Sequence, residues 1–319
     1  MQRRYGDTDV LSLQDVDRPR PKADEVVVRV AAAGVGPEVW HVMAGSPYAV
    51  RLVTGVWRPR NPVCGRDLAG WVEEVGAEVS GFRVGDAVLG SGVGAFAEFA
   101  RAKAAQLTRK PVSLTFEQAA ALPVSGQTAL QALRDKAHVS AGQLVLVVGA
   151  SGGVGTYAVQ LARHFGAQVT AVCGPTGVEH AQVLGAAHVL DYTRQDIAGP
   201  EHAAEYDVVL DIAGNRPLRQ LRSLLTPGGT LVVVGGEGGG RIIGMGRALH
   251  AVSVSPFVKQ NLRSLLAVTR TADLATLTEL VEAGKLTPIV DQAYPLADAA
   301  AAIRHLREGH PRGKIVVTT

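Results

Sequence analysis

The chain changes rhythm near residue 120. Before that point, short β-branched runs alternate with glycine-rich turns, at residues 25–32 (Glu-Val-Val-Val-Arg-Val-Ala-Ala), 68–75, 87–89 and 96–100. Runs of this length and composition predict strands, so the first part reads as β-rich. After Pro111, residues 116–122 and 128–137 read as helices, and strand and helix patterns then alternate regularly. Such alternation predicts a parallel sheet with crossover helices. Candidate strands fall at 144–148, 168–172, 188–191, 207–212, 230–234 and 250–255. The tail differs, reading helix (273–283), strand (289–294), helix (298–307) and strand (314–318). It is expected to return to the first domain, leaving the alternating segment as an insert.

The sharpest local feature joins the first of the six strands to its helix: Leu144-Val145-Leu146-Val147-Val148-Gly149-Ala150-Ser151-Gly152-Gly153-Val154-Gly155. Val154, Tyr157, Ala158, Leu161, Ala162 and Phe165 then share one helical face, and Gly166 can end the helix in a left-handed cap. Read from Ala150, this is a dinucleotide fingerprint with alanine in its first glycine position. A pyrophosphate must reach backbone N–H groups at the helix start, where about half a positive charge is presented, and side chains at Gly152 or Gly153 would block it. Gly155 lets helix and sheet approach. Six strands complete a dinucleotide fold. An NAD-selective fold usually carries an acid at the end of its second strand, but Cys173-Gly174-Pro175-Thr176 holds none there. A 2′-phosphate therefore meets no repulsion, though no lysine or arginine in that turn attracts it. The expectation is NADP, with NADPH preferred over NADH.

Composition narrows the class. The chain has 319 residues, 47% hydrophobic and 19% charged, enough for a sizeable core and about two domains. Its net charge of +3 is small and its arginines are scattered, which argues against a nucleic-acid groove. Cys64 and Cys173 are the only cysteines, too few for a disulfide framework or a four-thiolate zinc site. No apolar run approaches the ~18 residues of a membrane span, and polar residues 7–9 follow Arg3-Arg4 where an export signal needs an apolar segment. The expectation is a cytoplasmic protein, without membrane or nucleic-acid partners.

Several motifs extend this picture. They are 65–76 (Gly-Arg-Asp-Leu-Ala-Gly-Trp-Val-Glu-Glu-Val-Gly), 82–88 (Phe-Arg-Val-Gly-Asp-Ala-Val) and 120–129 (Ala-Ala-Leu-Pro-Val-Ser-Gly-Gln-Thr-Ala), followed by Gly152-Gly153-Val154-Gly155, Leu184-Gly185-Ala186 and 309–314. With these residues the chain resembles the medium-chain dehydrogenase/reductase superfamily, in its zinc-free quinone oxidoreductase-like branch, over nearly its whole length. The resemblance implies an α/β protein with a GroES-like β-rich catalytic domain (1–122 and 262–319) and a six-stranded, doubly wound Rossmann domain (123–261). It implies that Val124 and Thr128 line the nicotinamide ribose. Ser151, Gly152, Gly153 and Val154 would meet the pyrophosphate side, Thr176 and Tyr192 the adenosine end, and Gly235, Phe257 and Val258 the nicotinamide. Family members commonly pair as homodimers through outer Rossmann strands, here expected at 250–255.

Two departures stand out. Gly36-Pro37 replaces a frequent Asn-Pro, removing a side-chain amide near the substrate, and Thr176 replaces a basic residue found in part of the branch. Where zinc-dependent relatives carry ligands, this chain has Gly36 and Gly65-Arg66-Asp67, and Arg66 would bring a cation beside any metal held by His41, Cys64 and Asp67. No metal is expected. Trp40, His41 and Tyr48 are read in a loop over the active site. Tyr48 is the candidate catalytic side chain, as a pocket-lining group able to donate a hydrogen bond, while His41 reads as surface or packing. The expected activity is hydride transfer from NAD(P)H to a quinone or α,β-unsaturated carbonyl, since a conjugated carbonyl is already electrophilic without a metal. The alternatives are a nucleotide-binding redox-sensing or structural protein with little turnover, and zinc-free alcohol or aldehyde chemistry.

Overall fold

The computed structural model describes residues 1–235, 246–309 and 311–319. In chain order the first strands and helices are β1 (Glu25–Val35), α1 (Pro37–Ala44), α2 (Val50–Thr54), β2 (Asp67–Val75), β3 (Ala87–Ser91), β4 (Phe99–Lys103), β5 (Leu107–Arg109), α3 (Phe116–Ala121) and α4 (Pro123–Leu130). The alternating segment holds β6 (Leu144–Val148), α5 (Gly153–His164), β7 (Gln168–Cys173), α6 (Val178–Val183), β8 (His188–Asp191), β9 (Tyr206–Asp211), α7 (Leu218–Ser223), β10 (Leu225–Val233), α8 (Gly246–Val254) and β11 (Asn261–Ser264). The tail adds α9 (Thr271–Glu282), β12 (Val290–Pro295), α10 (Ala299–Glu308) and β13 (Lys314–Thr318). Contacts divide the chain into two compact units, Met1–Gln127 with Thr269–Thr319, and Thr128–Val268.

The first unit is built on a seven-stranded mixed sheet in the order β12-β13-β1-β2-β3-β5, with β4 also pairing β1. β1 is central, and Val26, Val27, Val28 and Val30 are all buried, which explains an apolar run without strict alternation. Leu68, Val72, Val88, Leu107, Ile315 and Val317 join its core, so both chain ends supply it. α3 starts in a reciprocal cap: Thr115 Oγ1 accepts the Gln118 N–H at 3.2 Å, and Gln118 Oε1 accepts the Thr115 N–H at 3.0 Å. Leu122 then leads into α4 with Pro123 at its first position, where a missing N–H costs nothing. α4 continues into a π-helical turn, Gln131–Ala137.

The second unit is a six-stranded parallel sheet in the order β11-β10-β9-β6-β7-β8. The chain moves outward from β6 to β8, then returns to β9 beside β6 and continues to β11. That reversal makes a topological switch point at the carboxyl ends of β6 and β9, the place where doubly wound sheets bind ligands. α5 buries Tyr157, Ala158, Leu161 and Ala162 of the predicted face, but also Thr156, Val159 and Gln160, while Val154 and Phe165 are half-buried, so the helix is covered on more than one side. The expected strand at 250–255 is instead the end of α8 and the turn after it, and the sixth strand is β11. The run was apolar enough for either state, and its length alone did not separate a short strand from one face of a helix. Residues 236–245 lie outside the described residues, as does His310 in the closing motif.

Candidate functional site

The turn after β6 separates two duties of glycine. The N–H groups of Gly149 and Ala150 both donate to the Val172 carbonyl, at 3.1 and 3.0 Å, which ties the turn to β7. Gly152 is the N-cap of α5, makes no side-chain cap bond, and is followed by no acid in the first turn. A Cβ on Gly152 would meet only the Gly149 carbonyl oxygen, at 3.8 Å, so no atom of the described residues fills the space at this position. A Cβ on Gly155 would overlap that same carbonyl oxygen, so this glycine serves packing. An uncapped helix start with bare glycines suits an outside anion such as a pyrophosphate.

Neighbouring strand ends converge here. A Cβ on Gly177 would stand 2.8 Å from the Ser151 Cβ and 3.2 Å from the Cys173 Sγ, bringing the turns after β6 and β7 together. A Cβ on Gly174 would lie 3.2 Å from the Tyr192 hydroxyl, so the turn after β8 joins them. Ser151, Gly152, Gly153, Val154, Thr176 and Tyr192 therefore gather at the carboxyl ends of β6, β7 and β8, with Thr176 and Tyr192 exposed. The nearby acid, Asp191, accepts the Thr193 N–H at 2.9 Å and its hydroxyl at 2.8 Å, and Arg194 lies 3.6 Å away. The Thr193 bonds hold its carboxyl below the usual carboxylate range.

Gly235 belongs to the same end of the sheet. Its N–H donates to the Asp211 carbonyl at 3.0 Å, and a Cβ there would overlap the Ile212 carbonyl. Phe257 and Val258 do not join it. They precede β11, at its amino end, because α8 has carried the chain back across the sheet; Phe257 is exposed and Val258 packs against the core. Residues 265–268, at the carboxyl end of β11, hold the position the sequence reading assigned to that pair. Sequence reasoning also missed Asp211, fully buried at the end of β9. It accepts the Gly214 N–H at 3.0 Å and pairs with Arg247, whose Nε lies 2.9 Å away.

Val124, in the first unit, is half-buried at the start of α4, and Thr128, the first residue of the second unit, lies further along the same helix. The Val124 N–H donates to Asp67 Oδ2 at 3.3 Å. Lys314 Nζ lies 3.6 Å from that same oxygen and donates to Ser125 Oγ at 3.3 Å. Burial pushes the Asp67 carboxyl up, against the Lys314 ammonium, which pulls it down, with Glu38 adding to the rise. Trp40 and His41 sit in α1 rather than a loop. Trp40 packs against the core beneath the Arg307 guanidinium, and His41 Nδ1 is 2.8 Å from the Ser46 carbonyl. Tyr48 precedes α2, 46% exposed, with the Arg51 guanidinium over its ring at 4.7 Å.

The described residues that stand where zinc-dependent relatives carry ligands do not fit zinc. Gly36 has no donor, and a side chain there would overlap the Glu38 carboxylate, which occupies that space. Arg66 donates to Thr269 Oγ1 at 3.2 Å, and Asp67 is engaged by Lys314. The Cys64 thiol, facing Gln2 Oε1 at 3.3 Å, is pushed up to about 11 by burial and is not a ready thiolate. Among the described residues no group of three or more His, Cys, Asp or Glu is placed to hold a metal ion, and no helix is long and apolar enough to cross a membrane.

Comparison with known proteins agrees with this geometry. Residues 22–112 match the family described as "Alcohol dehydrogenase GroES-like domain" and residues 184–317 match "Zinc-binding dehydrogenase". The chloroplast envelope quinone oxidoreductase homolog of Arabidopsis thaliana is 34% identical over 94% of this chain and 91% of that protein. The 2-methylene-furan-3-one reductase of Solanum lycopersicum is 32% identical over 98% of this chain and 76% of that protein. Among solved structures, the quinone oxidoreductase from Coxiella burnetii superposes with a TM-score of 0.87 at 29% identity, covering 100% of this chain and 98% of that one. The mycobacterial Rv1454c structure complexed with NADPH gives 0.84 at 26%, covering 99% and 98%. The GroES-like β-rich sheet, the Rossmann-type sheet with its glycine turn, and full-length similarity at this level together place the chain in the medium-chain dehydrogenase/reductase superfamily, in its quinone oxidoreductase-like branch, as an NAD(P)-dependent oxidoreductase.

Proposed function

We propose that this protein is an NADPH-dependent reductase of quinones or α,β-unsaturated carbonyls that works without zinc. The observation that carries the reading is the uncapped, glycine-lined start of α5 at the switch point of the parallel sheet, beside Ser151, Thr176 and Tyr192. Bound there, the nicotinamide cofactor supplies a hydride. The backbone N–H groups of the Gly152–Val154 turn hold its pyrophosphate, and Gly235, packed against the Ile212 carbonyl, is the candidate contact at the nicotinamide end. Val124 and Thr128 line the ribose. Support for NADPH over NADH comes from the turn after β7, which has no carboxylate, and from Asp191, already engaged by Thr193 and Arg194. The similarity to an NADPH-bound mycobacterial protein points the same way.

The substrate accepts hydride at an electrophilic carbon or quinone oxygen, and the resulting enolate or hydroquinone anion takes its proton from solvent or a hydrogen-bond donor. Tyr48 lines this pocket as one such donor. Gly36 and Arg66 stand where donors for an alcohol-acidifying zinc would be needed, which favours conjugated acceptors, and the tomato relative's name supports an enone. Two free cysteines fit a reducing, cytoplasmic setting. A homodimer would form along β11, the open edge of the Rossmann-type sheet. The test is NADPH consumption with a panel of quinones, enones and simple alcohols. Turnover with at least one quinone or enone is expected. Rapid oxidation of simple alcohols with no reduction of the panel would replace the reading with alcohol chemistry.

A further inference from the structure

We propose that the buried Asp67–Lys314 pair is a positioning device for the cofactor, closing the start of α4 and thereby setting the place of Val124. The proposal rests on the reading of Val124 as a nicotinamide-ribose contact. α4 opens with Pro123, which has no N–H, so Val124 carries the first backbone donor that a helix start leaves without an intrahelical partner. Asp67, at the first position of β2, accepts it and places a negative charge at the positive end of the helix. Lys314, at the first position of β13, compensates that charge and also reaches Ser125 in the same turn. One ion pair thus binds two successive residues of α4 to two strands of the GroES-like sheet.

The arrangement is tightly built. The Asp67 and Lys314 side chains are 0% and 4% exposed, and Ser125 is 3% exposed. A Cβ on Gly34 of β1 would come within 2.9 Å of the Asp67 Cβ, 3.1 Å of the Lys314 Cε and 2.7 Å of the Ala120 carbonyl. A bare position on the central strand is what lets the pair cross it. Asp67 Oδ1 is buried with no hydrogen-bond partner among the described residues, so the contacts that hold the carboxylate, the Val124 amide and the Lys314 ammonium, fall on its other oxygen. A pair placed only for stability is readily replaced by apolar groups. This one spends its bonds on the turn that carries Val124.

The test compares NADPH binding and turnover in weakly alkaline buffer for the wild type and two double variants. Asp67→Ala with Lys314→Met removes the acceptor and the ammonium together, leaving no lone buried charge. Its KM for NADPH should rise about tenfold, the scale of one lost charge-assisted hydrogen bond, while kcat at saturating NADPH falls by less than about threefold. Asp67→Asn with Lys314→Met keeps an acceptor for the Val124 amide and should recover most of the affinity. Should the first variant fail to fold, Ser125→Ala carries the test, with an expected loss of about threefold in NADPH affinity. Unchanged NADPH affinity in every folded variant, with only thermal stability reduced, overturns the proposal. A wild-type protein that binds no NADPH overturns the cofactor reading instead.

Discussion

The two helix starts named above, those of α5 and α4, solve the same physical problem in opposite ways. Each must satisfy backbone N–H groups that have no intrahelical partner. α5 leaves its start open, with Gly152 as an uncapped N-cap and no acid in the first turn. α4 closes its start internally, with Asp67 and Lys314 drawn from positions 57 residues before Val124 and 189 after Ser125. An open start takes its anion from a ligand, whereas a closed one carries its own and becomes a fixed support. On the proposed reading, the turn that would bind the cofactor and the turn that would position a binding residue differ in where the compensating charge comes from.

The largest expected effect separates packing from binding inside the open turn. Gly155→Val would drive a side chain into the Gly149 carbonyl, and the loss of stability should exceed about 4 kcal/mol, seen as loss of folded protein. Gly152→Ala meets nothing closer than 3.8 Å and should melt like the wild type. Its NADPH affinity should nevertheless fall by about two orders of magnitude, because the methyl group occupies the pyrophosphate's approach. Equal stability losses in the two variants would erase the distinction between the two glycines.

The closed start gives the next effect. Lys314→Met alone leaves a buried carboxylate uncompensated and should cost about 3–5 kcal/mol in denaturant unfolding, while Asp67→Asn with Lys314→Met should cost clearly less. A strictly additive double variant would mean that the two side chains do not interact.

A smaller effect concerns pH. Burial raises the Asp67 carboxyl from its ordinary 3.8 to about 7, with Lys314 only partly offsetting it. A carboxyl raised in the folded state binds its proton more tightly there than in the unfolded chain. Its contribution to stability is therefore full below the unfolded value and is lost as pH rises through the folded one. The margin of the wild type over Asp67→Asn should shrink between about pH 4 and about pH 8, measured by unfolding at both ends. A margin that grows over that window contradicts the assignment. Least of all should change in Tyr48→Phe. Tyr48 is half exposed beneath Arg51, so kcat should stay within about threefold of wild type and only the substrate KM should move.

The same contrast explains what could be read from sequence. The turn after β6 was legible because its strand, glycines and amphipathic helix lie within one short stretch, where period and turn chemistry act together. The alternation of strands and helices was legible for the same reason. Residues 250–255 were misread because a short apolar run supports either a strand or a helix face, and the error carried Phe257 and Val258 to the wrong end of the sheet. Asp67 was noticed only as a poor metal ligand. Its bond to Val124 and its pairing with Lys314 depend on β2 and β13 lying on either side of β1, a tertiary fact with no local signature. Glu38 was missed likewise, although Gly36 hinted at it by leaving room for a neighbour's carboxylate.

The central claim is hydride transfer from a nicotinamide bound at the α5 start to a conjugated carbonyl, and deuterium tests it most directly. The protein would be incubated with NADPH deuterated at the transferring C4 position and an enone, and the product analysed by NMR. A single deuterium is expected at the β-carbon, with the α-hydrogen drawn from solvent, and far less of this product from Gly152→Ala at the same subsaturating cofactor concentration. Deuterium at the carbonyl carbon, giving an allylic alcohol, would contradict the claim.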